Sequence, residues 1–392
     1  MNVPLLDLRE QYRAIRDEID DAIRGVMESQ HFILGPRVDD CETAIAAYCD
    51  AKYAVGVSSG TDALLMCLMA EGIGPGDEVI TTPYTFFASV GCITRLGAMP
   101  VFVDIDPRTY NLCPAHITTK LTDRTRAIIP VHLFGQSVEM TPVMAIAEAH
   151  GLVVIEDAAQ AIGAEDRGRR VGSIGHYGCL SFYPSKNLSA AGDGGMIVTN
   201  DAARAERLRC LRSHGSRPKY HHCLVGGNFR LDALQAAVVS VKLRHLDGWT
   251  GRRITNAQRY DHLFRTSPLS VVDAAAWTAA RPRRRHTDDE APHLVLPTVP
   301  CEGHVFNQYV VRVARRDLVR STLGARGVGT EIYYPVPMHL QECFAPLGYG
   351  TGDFPESESA ATETLALPIY PELTDDQAAY VVRSITECLA AR

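Results

Sequence analysis

The chain has 392 residues, with 39 Lys or Arg against 46 Asp or Glu for a formal net charge of −7; 46% of residues are hydrophobic and 22% charged. This is the composition of a globular protein with chain enough for two or three domains and a large buried core. The mild acidity excludes a dedicated nucleic-acid binder, and the longest uninterrupted apolar stretch, Ala63–Ala70, falls far short of the ~20 residues that span a bilayer. Met1–Arg9 carries Asp7 and no charged-then-apolar signal, so a cytoplasmic protein is expected. The 11 cysteines are odd in number and include no Cys-x-x-Cys pair, which reads as free thiols in a reducing compartment. No metal site and no membrane partner are expected. Lysine occurs only at Lys52, Lys120, Lys186, Lys219 and Lys242, so chemistry that needs a lysine amine has few places to occur.

The first ~50 residues read as helices. Ile15, Ile19, Ile23 and Met27 fall at four-residue spacing in Tyr12–Met27, an amphipathic stripe. From Tyr53 to about Asn200, short apolar runs alternate with amphipathic stretches. The runs are Ala54–Val57, Val79–Thr81, Pro100–Val103, Ala127–Val131, Leu152–Ile155, Cys179–Phe182 and Met196–Thr199. Runs apolar on consecutive residues fit strands buried on both faces of a mostly parallel α/β sheet. Ala202 to about Trp249 reads as helical, broken by a polar loop near His214–Asn228. Arg281–Glu290 clusters arginines and then acids that offset them, the composition of a solvated loop. Apolar runs at Leu294–Leu296 and Tyr309–Val313, a helix near Leu318–Arg326 and another near Asp375–Ala390 complete the chain. The expected architecture is a large domain over residues 1–249 and a smaller C-terminal α/β domain over 250–392.

Three segments carry candidate chemistry. Gly56-Val57-Ser58-Ser59-Gly60 has the Gly-x-Ser-x-Gly spacing of a nucleophile elbow, but no Gly-rich oxyanion segment precedes it. The same loop, running into Thr61, ends a strand and opens a helix, where free amide N–H groups and the helix dipole suit a phosphate; an ordinary Ser/Thr cap is the plainer use. Asp157 ends the apolar strand Val153–Ile155 on the side where open α/β sheets bind ligands. Strand alternation turns Glu156 away from it. Lys186 follows the strand Cys179–Phe182 beside Ser185 and before Gly192-Asp193-Gly194-Gly195. A phosphate cradle, a strand-end carboxylate and a loop lysine are together what pyridoxal 5′-phosphate needs for its phosphate, ring nitrogen and aldehyde.

The whole chain resembles the DegT-type nucleotide-sugar aminotransferases, a branch of the fold-type-I pyridoxal-phosphate enzymes. The matching segments are Ser59–Leu64, Pro83–Ala88, Val131–Gly135, Glu156–Gln160, Ser181–Gly195, Gly227–Asp232, Gly329–Pro335 and Leu367–Pro371. The resemblance implies a three-layer fold, with Lys186 as the Schiff-base lysine and proton shuttle. It puts Asp157 on the pyridine nitrogen, Phe86 stacked on the ring and Gln160 on the ring hydroxyl. Gly60, Thr61 and Ser181 would hold the phosphate, and Asn228 would reach the phosphate from the other chain of a homodimer. Tyr334 and His339 are candidates for the sugar pocket, and Arg230 and Arg212 for the donor's carboxylates. The implied partners are an amino donor, glutamate, and a keto-sugar nucleotide. Gly192-Asp193-Gly194-Gly195 resembles the branch that acts on 3-keto sugars. A cyclitol or 4-keto sugar, a related sugar dehydratase, and a non-catalytic regulator of the same fold are the alternatives. The dehydratases carry histidine where Lys186 stands.

Overall fold

The computed structural model describes residues 1–280, 294–298 and 303–390, so the Arg281–Glu290 cluster lies outside the described residues. Helix α1 (Leu8–Ser29) opens on Asp7, whose carboxylate accepts from the Arg9 and Glu10 amides. Ile15 and Ile19 pack against Val238, Val241 and Trp249. Met27, the last residue of the expected stripe, is exposed, and Val26 is buried instead. Three four-residue steps drift about 120° around a helix of 3.6 residues per turn, so the stripe leaves the buried face before Met27.

After α2 (Pro36–Tyr48), strands and helices alternate: β1 (Tyr53–Val57), α3 (Gly60–Ala70), β2 (Glu78–Thr81), α4 (Ala88–Arg95), β3 (Met99–Phe102), β4 (Thr125–Ile128), α5 (Met140–His150) and β5 (Val153–Asp157). A two-residue hairpin, β6 (Glu165–Asp166) with β7 (Arg169–Arg170), precedes β8 (Tyr177–Ser181) and β9 (Gly195–Thr199). Seven strands form one sheet in the order β1-β9-β8-β5-β4-β2-β3. β9 runs antiparallel to both its neighbours; the other pairings are parallel. Each apolar run of the sequence marks one of these strands to within a few residues. Both sheet faces are covered. Val154, Leu180 and Val198 face one core; Val55, Ile155, Cys179 and Ile197 face the other, against α3.

Helices α6 (Ala202–Leu211), α7 (Ala233–Leu243) and α8 (Leu246–Arg265) lead to a second sheet of β10 (Val271–Asp273), β11 (Leu294–Leu296), β12 (Tyr309–Val313) and β13 (Thr364–Leu367). It packs with α10 (Arg316–Ala325) and α12 (Asp375–Ala390) around Tyr260, Phe264, Val311, Leu323 and Val381. The short helices α9 (Ala274–Ala280) and α11 (Pro355–Glu363) flank it. Residue 250 falls inside α8: Leu246 packs in the large core, and Tyr260 and Phe264 in the small one. The N-terminal segment crosses over as well. Val3 pairs with Val328 and is buried in the C-terminal core. Among the described residues, no helix is long and apolar enough to cross a membrane.

Candidate active site

At the carboxyl ends of β5 and β8 lies a cavity of about 500 Å³, lined by Gly60, Thr61, Phe86, Asp157, Gln160, Ser181, Lys186 and Tyr334 among others. That is the size of a cofactor site, and its position is the one expected of an open α/β sheet.

The floor is the start of α3. Ser59 caps the helix by accepting from the Asp62 amide at 3.0 Å, so the amides of Gly60 and Thr61, which have no acceptor within the helix, remain for a ligand. Gly60 is required by close approach: a Cβ there would lie 2.7 Å from the Cβ of Ser181. Gly195 is required in the same way, since its Cβ would meet the Ser59 carbonyl carbon at 2.5 Å. The elbow serine, Ser58, has its hydroxyl on the Asp62 carboxylate at 2.6 Å and does not line the cavity.

The two carboxylates at the end of β5 face opposite ways, as alternation requires. Glu156 is fully buried and accepts from the amides of Gly172 at 2.7 Å, Ile174 at 2.8 Å and Gly175 at 2.6 Å. It also accepts from His132 Nε2 at 2.9 Å. The Val138 amide donates to His132 Nδ1, which places the ring proton on Nε2. Asp157 faces the cavity. Its Oδ2 accepts from Ser89 at 2.7 Å, and Ser89 in turn contacts Thr85 at 3.0 Å; Oδ1 accepts only a long bond from the Ala159 amide at 3.2 Å.

Lys186 stands on the loop between β8 and β9. Burial pushes its amine down to about 8, and the charge of Asp157 works against that fall. The loop is fixed from behind. Asn187 donates to the Val305 carbonyl at 3.1 Å, Gln235 accepts from the Ala191 amide at 2.8 Å, and Lys242 Nζ donates to Ser189 at 2.8 Å. Lys242 is thus a second half-buried lysine, its amine also lowered to about 8 by desolvation, but it lies outside the cavity.

Gln160 ties two wall segments together. Its Oε1 accepts from the Phe134 amide at 2.7 Å and its Nε2 donates to the Tyr334 hydroxyl at 2.8 Å, leaving one amide hydrogen free. Phe134 and Tyr334 both hold left-handed backbones, with φ of 60° and 59°, a cost of about 1–3 kcal/mol each. Their rings stack at 6.2 Å.

The structure corrects several expectations. His339 is buried behind the wall, bonded to Glu358 at 3.1 Å and edge-on to Phe354. It does not line the cavity, because its segment packs into the cluster of Val90, Phe102 and Phe344. Arg212 is also unavailable, since it is buried and bonded to Glu42 and the Gly56 carbonyl. Arg230 pairs through its backbone with Val57 and lies outside the cavity, its Nε buried and without a hydrogen-bond partner among the described residues. Asn228, expected to serve the other chain of a dimer and not its own, is exposed, paired through its backbone with Ser213 and away from this chain's cavity, so it is no correction. Conversely, Ser89 supports Asp157, and Gln308 and Tyr333 line the cavity. Gln308 is 8% exposed; its side chain bonds Tyr333, and its Oε1 has no partner among the described residues. Ser89 lies just past the Pro83–Ala88 segment; nothing local in the sequence marks Gln308.

The helix end, the glycine cradle, the strand-end carboxylate and the desolvated amine fit pyridoxal phosphate, and with the fold they define a fold-type-I pyridoxal-phosphate enzyme. The chain matches the DegT/DnrJ/EryC1/StrS aminotransferase family over residues 13–386 and belongs to that family. It is 49% identical over 389 residues to a Geobacillus stearothermophilus protein described as a pleiotropic regulatory protein, covering 99% of this chain and 98% of that one. It is 43% identical over 386 residues to the Streptomyces venezuelae dTDP-3-amino-3,4,6-trideoxy-alpha-D-glucose transaminase, covering 98% and 96%. The crystal structure of S. venezuelae DesV in complex with a ketimine intermediate matches with a TM-score of 0.91 at 42% identity, covering 100% of this chain and 99% of that one.

Proposed function

We propose that the protein transfers an amino group from glutamate to the C3 carbonyl of a nucleoside-diphosphate keto-sugar, in amino-sugar biosynthesis in the cytoplasm. It acts as a homodimer in which Asn228 of each chain completes the other's phosphate site. The observation that carries this reading is the meeting of Lys186, Asp157 and the amide end of α3 on one cavity. The sugar rests on the resemblance of Gly192-Asp193-Gly194-Gly195 and on a similar transaminase named for a dTDP-3-amino sugar. The regulatory name of the Geobacillus relative does not displace this reading, because a purely regulatory fold has no physical need of a desolvated amine opposite a carboxylate.

Bound in the cavity, pyridoxal phosphate supplies the carrier of the amino group and the electron sink. The Gly60 and Thr61 amides and the Ser181 hydroxyl hold its phosphate. Asp157, oriented by Ser89, keeps a proton on the ring nitrogen, an electrostatic stabilisation in place before the reaction begins. Phe86, exposed on the cavity lining, would cover one ring face. Gln160 offers its free amide hydrogen to the ring hydroxyl. Lys186 would take and return the proton that moves between the substrate carbon and the cofactor, once with the donor and once with the sugar. An amine lowered to about 8 exchanges protons readily near neutral pH. The test is spectroscopic. Pyridoxal phosphate should give the protein a visible absorption band that glutamate bleaches; a protein that stays colourless contradicts the reading.

A further inference from the structure

Cys210 and Cys223 bring their thiols together away from the active site. Cys210 lies in the last turn of α6 and is 8% exposed; Cys223 is on the surface of the following loop. The two Sγ atoms are 3.4 Å apart. Backbone bonds hold both residues in this relation. The Gly215 amide donates to the Cys210 carbonyl at 2.9 Å, and the Cys223 amide donates to the Gly215 carbonyl at 2.9 Å. Gly215 permits the fold-back: its φ is +69°, and a Cβ there would lie 1.8 Å from the Leu224 carbonyl oxygen. The pair opens onto a surface cavity of about 450 Å³ that also holds Arg204, Arg207 and Arg217. Guanidinium groups beside a thiol favour its thiolate, the reactive form; burial and the neighbouring Cys223 raise Cys210, and Arg217 and Arg207 work against that rise, while Glu71 and Glu206 of the same cavity pair with Arg204 and Arg217.

A second pair provides the contrast. Cys67 and Cys179 sit 3.6 Å apart, but both are buried in the core between the sheet and α3. Thiol proximity is nearly the same in the two places; the first reaches the surface through Cys223 and lies beside arginines and their carboxylate partners.

We propose that Cys210 and Cys223 are a redox modification site, a dithiol that closes to a disulfide and fastens the loop of residues 211–228 to the end of α6. A disulfide needs its sulfurs at about 2.05 Å, within reach of side-chain rotation from the observed contact. The oxidant is a small disulfide such as glutathione disulfide. The Cys223 thiolate attacks it and forms a mixed disulfide, releasing one glutathione thiolate. The Cys210 thiolate then attacks Cys223 Sγ, forms the protein disulfide and releases the second. Two electrons pass from the protein to the oxidant, and the protons of the two protein thiols end on the two released thiolates or in solvent. The site stands independently of the aminotransferase reading.

The test uses the full-length protein, reduced, desalted, incubated with glutathione disulfide and digested with trypsin without reduction. Arg212 and Lys219 separate the cysteines into the peptides Cys210–Arg212 and Tyr220–Arg230. The expected product is these two peptides linked, two hydrogens lighter than their sum and separated by reductant, with Cys67 and Cys179 still free. In Cys210→Ser, the reaction should stop at glutathione on Cys223. Wild-type protein that stops at that same adduct, or links Cys223 to any other cysteine, overturns the proposal. The wild-type map is decisive even if a variant fails to fold.

Discussion

The two sides of the end of β5 carry the same chemical group in opposite circumstances. On one side, Glu156 is closed in by three backbone amides and His132, with no solvent contact. On the other, Asp157 has one strong partner, Ser89, and otherwise faces the cavity and Lys186. The first carboxylate spends its capacity on joining β5 to the segment of residues 172–175 and holding a buried histidine. The second keeps capacity unspent. A functional carboxylate is thus marked here by what it leaves unpaired, since both residues are ionisable, buried and strand-terminal.

That contrast can be broken at graded cost. Lys186→Ala should lower turnover by roughly 10⁴-fold or more, the upper range of acid–base catalysis, with a thermal unfolding midpoint close to wild type because the side chain bears little core packing. Asp157→Asn should lower kcat by about 10²–10³-fold, the scale of other preorganised electrostatic groups. It should also move the pH profile. The step that needs a neutral Lys186 amine gains rate as pH rises through about 8. Asp157 holds that amine up, so its neutralisation should shift the midpoint to lower pH, and an unmoved midpoint would separate the two residues. Glu156→Gln should do the reverse of Asp157→Asn: stability falls by about 3 kcal/mol in denaturant titration, because an NH₂ group then faces two donors, while kcat of the folded fraction stays near wild type. Gln308→Leu should have the smallest effect. Its Oε1 lies on the cavity without a partner among the described residues, so the loss of one acceptor open to a bound substrate, worth about 1 kcal/mol, should raise KM for the sugar about fivefold and leave kcat nearly unchanged.

The readable parts of the sequence were those with a local cause. Strands buried on both faces leave consecutive apolar residues, so the large sheet could be placed, and Leu294–Leu296 and Tyr309–Val313 match strands to the residue. Strand ends then located Asp157 and the start of α3, rarity and context singled out Lys186, and the family resemblance added Ser181. The three residues of β10 are too short a run to stand out. What stayed hidden depends on distant partners. Arg212 meets Glu42 from 170 positions away, which turns a candidate donor-binding arginine into a buried strut. Gln160 and Gln308 reach one cavity from the turn after β5 and the bend before β12, 148 positions apart. Lys242 bonds Ser189 on the loop bearing Lys186 from 53 positions away, a contact that no local pattern marks. His339 failed for the same reason in reverse, because its segment turns inward onto Phe354.

The central claim is that this cavity moves nitrogen from an amino acid to a sugar. The most direct measurement supplies the holoenzyme with glutamate labelled at its nitrogen and a nucleoside-diphosphate 3-keto sugar, and follows the sugar product by mass spectrometry and nuclear magnetic resonance. The account predicts a sugar in which the C3 oxygen is replaced by the labelled amino group, with no product from Lys186→Ala. An unlabelled sugar, or one that has lost water without gaining nitrogen, would contradict it.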